Sequence, residues 1–70
     1  MKLEKMTSMD FCNFVNNEDL IEENVFRHYI DNNQDQVIYH YYHPVTRKLV
    51  AVYHDSGPMP MKADYFKLVY

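Results

Sequence analysis

The sequence has one glycine, one cysteine and no tryptophan among its 70 residues. A glycine-rich phosphate-binding loop is excluded, because Gly57 stands alone and Pro58 follows it. An intrachain disulfide is excluded, because Cys12 has no second cysteine to pair with. No run approaches the roughly 18 apolar residues of a membrane span, and charged residues interrupt the apolar ones at the start of the chain. We therefore expect a soluble, cytoplasmic protein.

The sequence is rich in aromatic residues, and its charge is unevenly distributed. It contains seven Tyr and four Phe, and its net charge is −3. Residues 1–35 carry eight acidic and three basic side chains, whereas residues 36–70 carry two acidic and four basic ones. The length predicts a single domain over residues 1–70 with a small core. Seven tyrosines exceed what such a core holds, so we expect several at a surface or an interface.

Helical signals occupy the N-terminal half. Thr7 followed by Asp10 is typical of a helix start, and the apolar spacing after it predicts a first helix over residues 8–15. A second helix is predicted over residues 18–30. Asn32 and its neighbouring asparagine tolerate the left-handed conformation that ends helices.

After these asparagines the period changes from helical to alternating. Residues 37–42 and 49–54, separated by a turn at Pro44, predict a β-hairpin. A third strand is predicted over residues 63–70. The fold class is therefore α+β, with two N-terminal helices packed on a three-stranded antiparallel meander. A short strand over residues 2–6 is the candidate fourth strand.

The predicted hairpin is apolar on both of its faces. In the simplest register Tyr42 pairs with Leu49, His40 with Ala51 and Ile38 with Tyr53. An antiparallel sheet with one wet face normally alternates apolar with polar residues. Two interpretations stay open: aromatic rings lie on the surface with their hydroxyls in water, or the second face is buried in a homodimer. The predicted dimer interface consists of Ile38, His40, Tyr42, Leu49 and Tyr53.

The predicted second helix is acidic along one side. Acidic residues in a first turn complement the helix dipole, which is the simpler explanation for Glu18 and Asp19. An acidic ridge beside apolar side chains is also typical of a helix presented to a basic partner, with carboxylates in place of nucleic-acid phosphates. The predicted partner-binding residues are Glu18, Asp19, Glu22, Glu23, Phe26 and Ile30.

The sequence offers little for catalysis or metal binding. His40 and His43 are three apart on a predicted strand, so they diverge, whereas zinc needs converging ligands. Cys12 lies in an amphipathic helix, where we expect a buried, inert thiol. We predict no catalytic residue, no metal, no cofactor and no enzyme activity.

The sequence thus predicts a non-enzymatic protein-binding module, a homodimer that engages a basic protein such as a nucleic-acid-binding one. Being short, aromatic, asparagine-rich and acidic on one helix, the chain resembles small phage proteins that inhibit host machinery, which implies a target in the host cytoplasm. This resemblance covers no defined motif. The alternatives are a module that binds single-stranded nucleic acid through a tyrosine-bearing sheet, disfavoured by the sparse positive charge, and an adaptor subunit of a larger assembly.

Overall fold

A computed structural model of the chain describes residues 1–31, 34–56 and 63–70. Within these ranges the chain forms one helix and five strands. In chain order they are β1 (Lys2–Met6), α1 (Ser8–Asn17), β2 (Ile21–Asp31), β3 (Gln34–Tyr42), β4 (Leu49–Asp55) and β5 (Ala63–Val69). The strands form one antiparallel sheet in the order β1-β5-β4-β3-β2, so β1 and β2 are its edges. The predicted α+β class is confirmed. The prediction of two helices packed on three or four strands is wrong in detail.

Helix α1 begins where the sequence predicts. Thr7 is extended, and its side-chain oxygen accepts a hydrogen bond of 3.1 Å from the backbone N–H of Asp10. The helix runs two residues beyond the predicted end. Asp19 then adopts a positive φ of 51°, a conformation that Asp tolerates better than most residues. This left-handed residue ends the helix and turns the chain into β2. The predicted helix end at Asn32 lies outside the described residues.

The predicted second helix is a strand, β2. Asn24 pairs with Tyr39 and Phe26 pairs with Ile38, so Val25 is the extra residue of a β-bulge. The Asn24 amide donates to the backbone carbonyls of Phe26 at 3.1 Å and Ile38 at 3.3 Å, which stabilises the bulge. Because the bulge shifts the alternation by one residue, the sequence of β2 does not show a continuous period of two.

A second bulge changes the register of the predicted hairpin. Ala51, which the simplest register paired with His40, pairs instead with Tyr41, and Val50 is the extra residue. A one-residue shift moves every following side chain to the other face of the sheet. Tyr53 therefore lies on the face opposite to the predicted one.

The core lies between α1 and one face of the sheet. Phe11 is 4% exposed and packs edge-on against Tyr41, with ring centroids 5.1 Å apart. It also contacts the tilted rings of Tyr53 and Tyr65, at 6.5 and 5.2 Å, and Ala51 is fully buried beside it. Aromatic pairs at these separations add stability beyond the area they bury. This core is nevertheless small, as expected for a domain of this length.

Candidate functional site

The sheet has one face covered by α1 and one face that no described helix covers. Tyr41, Tyr53 and Tyr65 contact Phe11, so they lie on the helix side. Alternate residues of each strand then lie on the opposite side, which we call the helix-free face. Strand alternation and register assign to it Leu3, Lys5, Ile21, Glu23, Phe26, Ile38, His40, Tyr42, Val52, His54, Asp64, Phe66 and Leu68.

The middle of the helix-free face is a row of paired residues that crosses all five strands. From β1 to β2 the row is Lys5, Phe66, Val52, His40 and Glu23, each the register partner of the next. Cross-strand partners on one face lie about 4.5–5.5 Å apart at Cβ. The central row therefore has a basic residue at one edge of the sheet, an acidic residue at the other, and an apolar or aromatic interior.

A second row beside it is apolar from edge to edge. Leu3 pairs with Leu68 on one side and Tyr42 pairs with Ile21 on the other, with the bulge of β4 between them. The backbone carbonyl of Leu49 in this bulge accepts a hydrogen bond of 2.6 Å from the hydroxyl of the C-terminal tyrosine. Leu3 and Ile21 remain 56% and 43% exposed. The apolar row thus reaches both edges of the sheet with exposed residues at its ends, whereas Leu68 inside it is only 6% exposed.

The third row mixes polar and apolar side chains. Asp64 pairs with His54, and Ile38 pairs with Phe26, which is 45% exposed. Asp64 also forms an ion pair of 3.2 Å with Lys5 of the central row. This pair is open to solvent, and exposed ion pairs contribute only about 0–1 kcal/mol to stability. Apart from His40 in the central row, the charged and imidazole groups of the helix-free face therefore lie at its rim and along one side.

The predicted acidic ridge is not formed, because its residues lie in a turn and a strand instead of a helix. Glu18 caps the end of α1 and Asp19 follows it in the turn. Glu22 and Glu23 are neighbours in β2, so they point to opposite faces. Glu22 accepts a hydrogen bond of 2.6 Å from the Tyr41 hydroxyl on the helix side. The other two residues of the predicted set, Phe26 and Ile30, also lie in β2.

The predicted dimer residues are only partly brought together. Ile38, His40 and Tyr42 share the helix-free face, as expected. Leu49 lies opposite Tyr42 at the bulge. Tyr53 does not belong to the set, because it packs against Phe11 on the helix side. The sequence-based prediction also omitted residues of β1, β5 and the shifted β4. The alternate positions of Asp64, Phe66 and Leu68 were visible in the sequence and could have placed these residues on one face. The bulge in β4 has no visible sign in the sequence.

Two tyrosines on the helix side have perturbed ionisation. Burial, together with the hydrogen bond to Glu22, raises the pKa of Tyr41 well above its usual range. Burial and the neighbouring carboxylate of Asp55, 3.2 Å from its hydroxyl, raise the pKa of Tyr53 to about 12. Both phenols therefore stay protonated at neutral pH, where they act as hydrogen-bond donors within the fold.

Other chemistry is sparse in the described part of the chain. Among residues 1–31, 34–56 and 63–70, no group of three His, Cys, Asp or Glu side chains is placed to hold a metal ion. Cys12 is exposed on α1, so the expectation of a buried thiol is wrong. The described helix, α1, is too short and too polar to cross a membrane.

Comparisons of the chain with protein-family models, with curated proteins and with solved structures gave no significant match. The helix-free face is therefore the feature on which a functional proposal rests.

Proposed function

We propose that this chain is a non-enzymatic protein-binding module that docks a protein partner on its helix-free face. The observation that carries the proposal is the apolar row from Leu3 to Ile21, together with Phe66 and Val52 in the central row, on a face that no described helix covers. Burial of apolar surface contributes about 25 cal/mol per Å². Contiguous exposed apolar patches of several hundred Å² are typical of interaction sites.

The chemistry of the face favours a protein over a nucleic acid as the partner. Rings such as Phe66, His40 and Tyr42 lie on it among aliphatic side chains, so base stacking alone does not separate the two kinds of partner. Its charge is not positive, because the single basic residue Lys5 is outnumbered by the acidic residues Glu23 and Asp64. Nucleic-acid binding instead depends on an excess of positive charge that contacts phosphates.

The proposal keeps the binding class that the sequence predicts but changes the surface. Because β2 sends Glu22 and Glu23 to opposite sides of the sheet, a helical mimic of phosphates is not part of it. The role of an adaptor subunit is compatible with it, since an adaptor also docks through an apolar face. What distinguishes the proposal is the location of the binding surface on the helix-free face of the sheet, which all five strands form.

The test compares one disruptive variant with a matched control. Val52→Lys places a charge at the centre of the helix-free face, whereas Val45→Lys makes the same chemical change in the exposed turn before β4, where Val45 is 81% exposed. Cells would express a tagged chain beside a second copy with a different tag. We expect the wild type and Val45→Lys to retain bound protein after affinity purification and Val52→Lys to lose it.

Circular dichroism of each purified variant checks that the fold is intact. Retention of every bound protein by a folded Val52→Lys variant would refute the proposal. Release of the bound material by nuclease, with no effect of Val52→Lys, would show nucleic-acid binding instead.

A further inference from the structure

We propose that the occupant of the helix-free face is a second copy of this chain, packed face to face with its strands parallel to those of the first. In this arrangement Lys5 of each copy lies opposite Glu23 of the other. The inference rests on the proposed function, because it names the partner of the same surface.

A face-to-face homodimer needs a two-fold axis in the plane between the two sheets. If the axis runs along the central strand β4, it places the β1 edge of one copy over the β2 edge of the other. Lys5 of one copy then faces Glu23 of the second, and the second Lys5–Glu23 contact follows by symmetry. If the axis instead runs across the strands, Lys5 faces Lys5 and Glu23 faces Glu23. Juxtaposed like charges oppose association, so the charges select the first orientation.

The same orientation also matches the apolar row. Because the axis exchanges β1 with β2 and β5 with β3, Leu3 lies over Ile21 of the second copy. Leu68 likewise lies over Tyr42, and Val52 meets its own copy at the axis. The apolar row thus meets only apolar or aromatic side chains. Sheets packed this way lie about 10 Å apart, with strand directions within about 30° of each other.

The available area is enough for a small dimer interface. Five strands about 4.8 Å apart, with a central strand of seven residues rising about 3.4 Å each, give a face of roughly 24 by 24 Å. Two such faces bury roughly 1,100 Å² in total, which is just above the minimum of roughly 1,000 Å² for a specific interface and below the roughly 1,600 Å² of a standard one. A second sheet would also supply the apolar burial that a core centred on Phe11 lacks.

Two local features indicate that the contact between copies involves the face of the sheet and not its edge. The edge strand β2 contains the bulge at Val25, and bulges on edge strands hinder pairing with another strand. The ion pair between Lys5 and Asp64 leaves the lysine side chain 71% exposed. Its ammonium group therefore remains accessible to a second carboxylate from across the interface.

Charge reversal tests the orientation directly. Lys5→Glu alone places Glu opposite Glu23, and Glu23→Lys alone places Lys opposite Lys5. Because each change creates like-charge contacts, each variant should dimerise on the order of tenfold more weakly than the wild type. An equimolar mixture of the two variants recreates two opposite-charge contacts, as does the double variant in one chain. Both should recover wild-type association. Lys2→Glu and Glu4→Lys, on the helix side of the same strand, are the matched controls and should change nothing.

The measurement is light scattering after size-exclusion chromatography over a concentration series at low salt, where a monomer has a mass of 8.5 kDa. A wild-type mass of 8.5 kDa at high micromolar concentration would overturn the inference. A dimer that is indifferent to both Lys5→Glu and Glu23→Lys, or one that survives Val52→Lys, would overturn it as well. The tagged purification detects other bound proteins separately. If the wild type is a monomer that binds a different protein, and Val52→Lys abolishes that binding, a second copy is not the partner. The proposed function would then still stand.

Discussion

Replacement of Phe11 by alanine tests whether the core lies where α1 crosses the sheet. Phe11 is 4% exposed and contacts the rings of Tyr41, Tyr53 and Tyr65. Truncation of a buried Phe to Ala typically costs about 3–5 kcal/mol, because it removes apolar burial and leaves a cavity. A single core in a domain of this size supplies only about 3–5 kcal/mol of net stability. We therefore expect Phe11→Ala to be largely unfolded at 25 °C.

Urea denaturation followed by far-UV circular dichroism measures this loss. Met9→Ala, on the same helix, is the control, because Met9 is 73% exposed and should change the free energy of unfolding by less than about 0.5 kcal/mol. Protein concentration must be equal throughout, since dimerisation makes stability depend on it. A loss below about 1 kcal/mol for Phe11→Ala would refute a core built around this ring.

Two further predictions concern ionisation and capping. The pKa of Tyr53 rises from 10.0 to about 12 on folding, chiefly through burial, and that of Tyr41 rises in the same direction. The folded state therefore holds these protons more tightly than the unfolded chain does. The free energy of unfolding should keep this contribution below pH 10 and decrease as the pH rises towards 12. A urea midpoint that stays constant over that range would contradict the prediction. Thr7→Ala should lower the free energy of unfolding by about 1 kcal/mol through loss of the N-cap, whereas an equal effect of Ser8→Ala would contradict a specific cap.

The start of α1 and the strands of the C-terminal half could be predicted from the sequence because their signals are local. Thr7 caps a helix by contacts within three residues, and the turn after His43 has backbone hydrogen bonds of 2.9 Å that close it within five residues. The alternation of Phe66 with its neighbours likewise marks β5. Such features depend on nearby residues, which a sequence displays directly.

The second helix was predicted wrongly because a bulge hides the period of two in β2. With Val25 inserted, the apolar residues of this segment recur at spacings that also fit a helix. What decides for a strand is the pairing with β3, which joins residues up to 21 positions apart. Long-range pairing overrides local preference here, as it does in sheets generally.

The residues of the helix-free face could be predicted only in part, for a related reason. Ile38, His40 and Tyr42 were assigned to the helix-free face because no bulge separates them within β3. Tyr53 was assigned wrongly and Val52 was missed, since the bulge at Val50 moves both to the other face. The prediction of excess apolar surface on the sheet depended only on composition and strand spacing, so it did not require the register.

A nuclear Overhauser effect between the methyl groups of Leu3 and Ile21 is the most direct test of the proposed dimer. Leu3 lies in one edge strand and Ile21 in the other, four strand spacings or about 19 Å apart within one chain. Such a signal requires atoms within about 5–6 Å, so it can arise only between two copies. The parallel face-to-face dimer predicts the cross-peak, and its absence from a sample whose mass is that of a dimer would contradict the arrangement.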